Sequence, residues 1–161
     1  MVNLTSNLKL KPQKPIASLP AKIKTELQHR ASRGMSSGLN WRNVIKNYTL
    51  TEELMNTWSA ELDWLSVAEY QHLSEEFIAA WSHKLDWLHV CAYQQLSEGF
   101  MTAHLRELAW QPVCTYQTLS EEFMLAHLPK LYLHDIKRRY PEFYAKHNLD
   151  VYHALRGDAL T

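Results

Sequence analysis

Carboxylates at a fixed interval are the side chains in this sequence best placed to do chemistry. Glu52, Glu75, Glu98 and Glu121 follow one another every 23 residues, and Glu53, Glu76 and Glu122 form a second row, with Gly99 in its vacant place. Paired carboxylates can perform general acid–base catalysis. A pair that recurs in every copy of a repeat, however, is explained by the copy and not by a single active site. What a ladder can do is gather positive charge. Helical layers about 10 Å apart put its rungs at roughly one Debye length. Glu52, Glu75, Glu76, Glu98, Glu121 and Glu122 are therefore read as a face that docks a basic protein surface or imitates nucleic-acid phosphates. The competing reading is that acids in a first helical turn merely offset the helix dipole, at about 0.3–1 kcal/mol each.

The opposite charge lies towards the ends. Residues 1–38 carry seven Lys and Arg against Glu26 alone, a net +6; residues 39–130 are at −7 and residues 131–161 at +1. Lys9, Lys11, Lys14, Lys22, Lys24, Arg30 and Arg33 make a basic arm, and Lys137, Arg138 and Arg139 a second cluster. Either could contact phosphates. The arm lacks the interleaved aromatics of single-strand binders, so a solvated tail reads equally well.

Nine histidines and two cysteines invite a metal reading. No HxxxH stands beside a carboxylate and no Cys pair has zinc spacing, so no metal is expected. Neither a glycine-rich phosphate loop nor a nucleophile elbow occurs, so neither a cofactor nor an enzyme activity is expected. Cys91 and Cys114 fall in one column of the period. A layer spacing of about 10 Å exceeds the roughly 7 Å between Cα atoms that a disulfide tolerates, so they read as small buried residues. His104 and His127 share a column with Trp58 and Trp81, as half-buried ring-shaped fillers. Gln71, Gln94 and Gln117 form a polar column on a buried side, which requires partners; backbone groups of the turns are the expected ones.

The elements that must position these residues are set by the same period. Trp41, Trp64, Trp87 and Trp110 recur at 23, as do Leu50, Leu73, Leu96 and Leu119, and Leu54, Phe77, Phe100 and Phe123. Several columns holding one spacing mark a tandem array. Each unit reads as two helices. The first opens at Thr51, Ser74, Ser97 or Ser120, good N-cap residues, and buries Leu73, Phe77, Ile78, Trp81 and Leu85 at helical spacing. The second opens at Trp after a cap at Asn40, Asp63 or Asp86, and places Trp64, Val67, Ala68 and Gln71 on one face. The tryptophans read as a packing spine and not as a ligand platform.

A helix pair this small cannot bury its own apolar face, whereas stacked copies can. The predicted fold is all-α: a short α-solenoid of about four 23-residue two-helix repeats over residues 39–130. Residues 1–38 precede it as a basic arm and a short helix from Ala21 to about Ser32. Residues 131–161 follow as a degenerate fifth unit, broken by Pro141, and a C-terminal helical cap. With 161 residues and 46% apolar content this is one folded domain. No apolar run is long enough for a membrane span, no secretory signal is read at the N-terminus, and two cysteines suit a reducing cytoplasm.

The elements LSEEF and DWxxVxxYQ, in LSEEFIAAWSHKLDWLHVCAYQQLSEGF, resemble short tandem repeats found in bacteriophage and giant-virus proteins. The resemblance covers residues 39–130. It implies a helical repeat fold and a viral or mobile-element origin, and brings no catalytic residues with it. The expected function is a non-enzymatic protein-binding module in the host cytoplasm, binding and inhibiting a host defence or nucleic-acid-processing protein through the acidic face and the basic arm. The alternative is a nucleic-acid-binding accessory protein that uses the arm.

Overall fold

The computed structural model describes residues 17–156. They fall into two compact units, 17–94 and 95–156. The first unit holds β1 (Ala17–Ser18), α1 (Ala21–Ser32), α2 (Trp41–Asn47), β2 (Tyr48–Thr49), α3 (Glu52–Thr57), α4 (Trp64–Tyr70), α5 (Glu75–Ala80) and α6 (Trp87–Tyr93). The second holds α7 (Glu98–Ala103), α8 (Trp110–Tyr116), α9 (Glu121–Ala126), a 3-10 turn (Leu128–Lys130), α10 (Leu133–Arg139), α11 (Pro141–Lys146) and α12 (Leu149–Arg156). The described chain is thus mostly helical, with regularly spaced helices packed against each other.

Helices of six or seven residues are far below the length that persists alone in water, so packing must hold them. The tryptophan-led helices pack in series, α2 on α4 and α4 on α6 in the first unit, α8 on α10 in the second. In the first unit they share a fully buried seam of Ile45, Val67, Ala68, Val90 and Cys91, and in the second unit Val113, Cys114 and Ile136 are fully buried. The serine-led helices contribute Met55 and Ile78, and Met101 and Met124. The tryptophans are packing residues. Trp41 and Trp58 are buried with ring centroids 6.1 Å apart. Trp64 lies 4.8 Å from Trp81; both are half-buried. His104 and His127 do fill the Trp58 and Trp81 column, resting on Phe100 at 4.4 Å and Phe123 at 4.6 Å.

The caps agree with the sequence for the first helix of each pair and at Asn40, and differ at Asp63 and Asp86. Thr51, Ser74, Ser97 and Ser120 each accept the backbone N–H three residues on. Asn40 likewise accepts from Asn43 N. Asp63 and Asp86 do not cap. The Asp63 carboxylate is taken by Arg42 at 2.7 Å and the Ser66 hydroxyl at 2.9 Å, and Asp86 by His89 Nδ1.

Helix α1 occupies the predicted range, and the β1–β2 register explains its place. The strands are parallel, with Ala17 opposite Tyr48 and Ser18 opposite Thr49. Leu19 therefore corresponds to Leu50 at an offset of 31, and α1 to α3. The N-terminal piece is half a repeat whose one helix has been lengthened to 12 residues. It buries Leu27 and leaves its basic residues outside. Gly34 (φ 63°) ends it in the left-handed region, its N–H bonded to Ala31 O and that of Met35 to Arg30 O.

Pro141 shortens the fifth unit and does not break it. It takes the first position of α11, where a missing N–H has no helical partner to lose. Phe143 and His147 then pair at 4.8 Å, as Phe123 and His127 do, but 20 residues later.

Cys91 and Cys114 are free and buried. The Cys114 sulfur accepts the Tyr132 N–H at 3.3 Å, and burial pushes its thiol up to about 11. Because thiolate is the reacting species, the folded chain should leave an aromatic disulfide reagent unreacted at about pH 8. Both thiols should react at once in denaturant. Fast reaction of the native chain would show that the seam opens.

Candidate functional site

A buried amide recurs in three successive repeats, at Gln71, Gln94 and Gln117. Gln71 is 1% exposed, and its three hydrogen bonds all go to the preceding repeat. Its Oε1 accepts the Leu50 N–H at 2.8 Å, and its Nε2 donates to Ile45 O at 2.7 Å and Tyr48 O at 3.0 Å. Gln94 repeats this one layer on, accepting from Leu73 N at 3.1 Å and donating to Ala68 O and Gln71 O, both at 2.7 Å. In the second unit Gln117 accepts from Leu96 N at 3.1 Å. The expected backbone partners are found, and the side chain spans from one repeat to the one before it.

The glutamate ladder divides into two rows with different work. Glu52, half-buried, accepts the Ser74 backbone N–H at 2.7 Å and the Ser74 hydroxyl at 3.1 Å. That same hydroxyl accepts the Phe77 N–H at 3.1 Å. A capping box normally returns an acid from the third helical residue to the cap's own N–H. Here Phe77 holds that position, and the acid comes from the preceding repeat. Glu98 does the same to Ser120, whose hydroxyl bonds it at 2.9 Å and accepts the Phe123 N–H at 3.1 Å. Glu75, also half-buried, is engaged as well. Glu121 is held by Lys146 at 2.7 Å and His147 at 2.9 Å, which keep its carboxyl below the ordinary range. The second row differs: Glu53, Glu76 and Glu122 are exposed and take no part in any of these contacts. A Cβ at Gly99 would meet only Ser97 Oγ, at 3.9 Å, so the gap in this row is no steric requirement.

The basic residues also part company. Lys22, Lys24 and Arg33 are exposed on or just after α1. Arg30 is tied to Glu26 at 2.7 Å and to Ser36 O. Lys9, Lys11 and Lys14 lie outside the described residues. In the second cluster Lys137 pairs with Asp150 at 2.9 Å and Arg138 with Asp135 at 3.0 Å. Arg139 turns inward. Its guanidinium donates to Cys114 O and, at 2.6 Å, to Gln117 O, while the Tyr140 hydroxyl accepts the Leu119 N–H at 2.9 Å. Together they perform the glutamine's three bonds, and Tyr140 stands 23 residues after Gln117. That substitution was hidden in the sequence, because two residues replace one.

A second internal clasp had no repeat signal to reveal it. Glu61 accepts from the buried Ser37, through both its N–H and its hydroxyl, and from Trp41 Nε1 at 3.1 Å. These bonds, the Ser37 hydroxyl first, hold its carboxyl below the usual range.

Among the described residues no group of three His, Cys, Asp or Glu is placed to hold a metal ion. No helix there is long and apolar enough to cross a membrane. No known protein family, curated protein or solved structure matches the chain.

Two predictions follow from this geometry. Replacing Gln71 with Leu strips partners from one buried N–H and two carbonyls. At about 1–3 kcal/mol for each buried group left bare, the denaturant midpoint should fall by the equivalent of at least ~3 kcal/mol. Gln71→Glu should be worse at neutral pH than Gln71→Leu, since a carboxylate faces two carbonyls. The two neighbours Glu52 and Glu53 should separate cleanly. Glu52→Ala should cost about 1–2 kcal/mol, because Ser74 loses a charge-assisted partner. Glu53→Ala should stay within ~0.5 kcal/mol, as surface changes do. Equal costs would mean that the two rows share one role.

Proposed function

We propose that this chain is a non-enzymatic protein-binding repeat module of viral or mobile-element type, working in the host cytoplasm. It binds, and thereby inhibits, a host defence or nucleic-acid-processing protein. The finer architecture that goes with this reading is a short α-solenoid. The 23-residue spacing that runs unbroken from Trp41 to Trp110 supports it.

The observation that carries the reading is how the recurrent residues are spent. The glutamines and the first-row glutamates Glu52 and Glu98 hold each repeat to its neighbour. Side chains committed to the backbone cannot also recognise a partner. Recognition therefore falls to exposed positions that the repeat does not need, and Glu53, Glu76 and Glu122 are the charged ones on the first helices. Exposed carboxylates steer a basic partner and raise its association rate more than its final affinity. Central apolar anchors would supply most of the affinity. The basic surface of α1, with Lys22, Lys24 and Arg33, would meet an acidic region of the same partner.

One experiment tests this. Wild-type chain and the triple variant Glu53→Lys, Glu76→Lys, Glu122→Lys are used to capture partners from host lysate, and the captured protein is then titrated at two salt concentrations. The triple variant should keep its melting temperature. Its association rate should drop by an order of magnitude or more at low salt, with the difference fading as salt rises. Unchanged capture and unchanged rate would remove the acidic face from the mechanism. The alternative, a nucleic-acid accessory protein using the arm, is favoured by the exposed cations of α1. In that case a duplex would be retarded in a gel at low salt, steeply lost as salt increases.

A further inference from the structure

The partner surface proposed above has charges to steer a partner and needs an apolar anchor to hold one. The space between α1 and α3 is built for that. A cavity of about 270 Å³ lies there, with Leu27 and Ala31 on the α1 side and Leu54 and Trp58 on the α3 side. Ala31 and Leu54 are only half-buried, so they keep apolar surface for an incoming group to cover. Lys24 from α1 and Glu53 from α3 also line the cavity, and both are exposed. Neither is in an ion pair among the described residues.

The internal repeat explains why room is left at this place. The strand register sets α1 where α3 stands one layer on, with Ala21 aligned to Glu52 and Thr25 to Asn56. Two side-chain bonds cross from α3 to the next layer. Glu52 accepts the Ser74 N–H at 2.7 Å, and Asn56 Oδ1 accepts Trp81 Nε1 at 2.7 Å. Ala21 has no carboxylate to offer, and the Thr25 hydroxyl is spent on Ala21 O. Trp58, the counterpart of Trp81, keeps a buried Nε1 without a partner. Neither crossing bond is therefore made between α1 and α3, and a cavity stands among their apolar side chains.

Its volume falls just under the ~300–1,000 Å³ of pockets for drug-sized ligands, which suits one large side chain. The opposed charges say what should flank that side chain. A cation on the occupant meets Glu53, and an anion meets Lys24. A pocket that takes one apolar group between two charged contacts has the composition of a binding hot spot and its rim.

We propose that the α1–α3 cavity seats one apolar side chain, leucine or larger, of a partner's peptide segment. That segment carries Lys or Arg on one side of the anchor, against Glu53, and Asp or Glu on the other, against Lys24. This rests on the acidic-face reading above and supplies its anchor. The exposed charges set the association rate, and the seated side chain sets how long the partner stays.

The test pans a phage-displayed library of random peptides against the full chain and, in parallel, against two cavity-filled forms, Ala31→Leu and Thr57→Leu. Both positions line the cavity. Thr57 is exposed, so its replacement leaves the core intact even if Ala31→Leu lowers the melting temperature. Peptides enriched on the wild-type chain should share a Leu, Ile, Met or Phe between a basic and an acidic residue. They should bind Thr57→Leu about tenfold more weakly or worse, chiefly through faster dissociation. The double exchange Lys24→Glu with Glu53→Lys should also cost them binding, chiefly through slower association. No enrichment, enrichment of uncharged peptides, or equal binding to the filled form overturns the proposal. Panning needs no host protein, so such a failure leaves the acidic-face reading standing. That reading falls separately, to unchanged capture and rate in the triple variant.

Discussion

A primary amide buried between two repeats is the contact on which the rest of this fold depends. Its chemistry suits the place. A glutamine side chain offers one acceptor and two donors, and at Gln71 all three are matched by the Leu50 N–H and the carbonyls of Ile45 and Tyr48. Those groups belong to the end of one helix, the following turn and the start of the next extended stretch. They are backbone groups that neither helix can satisfy for itself, because helix termini leave N–H and C=O groups without intrahelical partners. Helices of six or seven residues are nearly all terminus. An apolar side chain at this site would bury the surface and leave the polar groups bare. Each such contact therefore sets a polar residue among the buried apolar side chains of its unit.

The clasp also explains why the period is kept so strictly. Gln71, Gln94 and Gln117 must each arrive opposite the turn 21 to 26 residues before. The split capping box adds a second constraint in the same direction, since Glu52 reaches Ser74 and Glu98 reaches Ser120 across 22 residues. An insertion of one residue would unmake both contacts in that layer. Where the spacing does change, at the offset of 31 before Leu50 and at 20 before Phe143, the partners change too. A parallel strand pair takes over at the first place, and Lys146 with His147, on Glu121, at the second.

Much of this was legible in the sequence, for a physical reason. Two-helix units, their caps at Thr51, Ser74, Ser97 and Ser120, and the glutamine column all depend on residue type at fixed spacing, which a repeat displays several times over. Residues used only once left no such trace. Glu61 on Ser37 and Trp41, and Arg139 on the carbonyls of Cys114 and Gln117, join positions that no column compares. The N-terminal half-repeat escaped because its helix is twice the usual length and Pro20 stands at the cap position. Asp63 and Asp86 looked like caps because they precede a helix, but each has a cationic or imidazole partner that competes successfully for the carboxylate. The acidic ladder was legible as a pattern and not as a function. Adjacent glutamates of identical type sit a fraction of a turn apart, and only the folded chain shows that Glu52 faces the next repeat while Glu53 faces water.

The first repeat and the fourth differ in how their polar groups are met. A repeat has two faces, one that offers acceptors and caps to the next unit and one that receives them from the last. After the fourth unit, Arg139 and Tyr140 take the loop of Gln117, and Lys146 and His147 take Glu121. At the N-terminal end the receiving face of the first layer meets a helix that covers its apolar surface but lacks Glu and Asn at the matching places. Trp58 keeps an unpaired donor there, and a cavity remains beside it. The basic charge of α1 sharpens the difference, because it sets Lys24 across the cavity from Glu53.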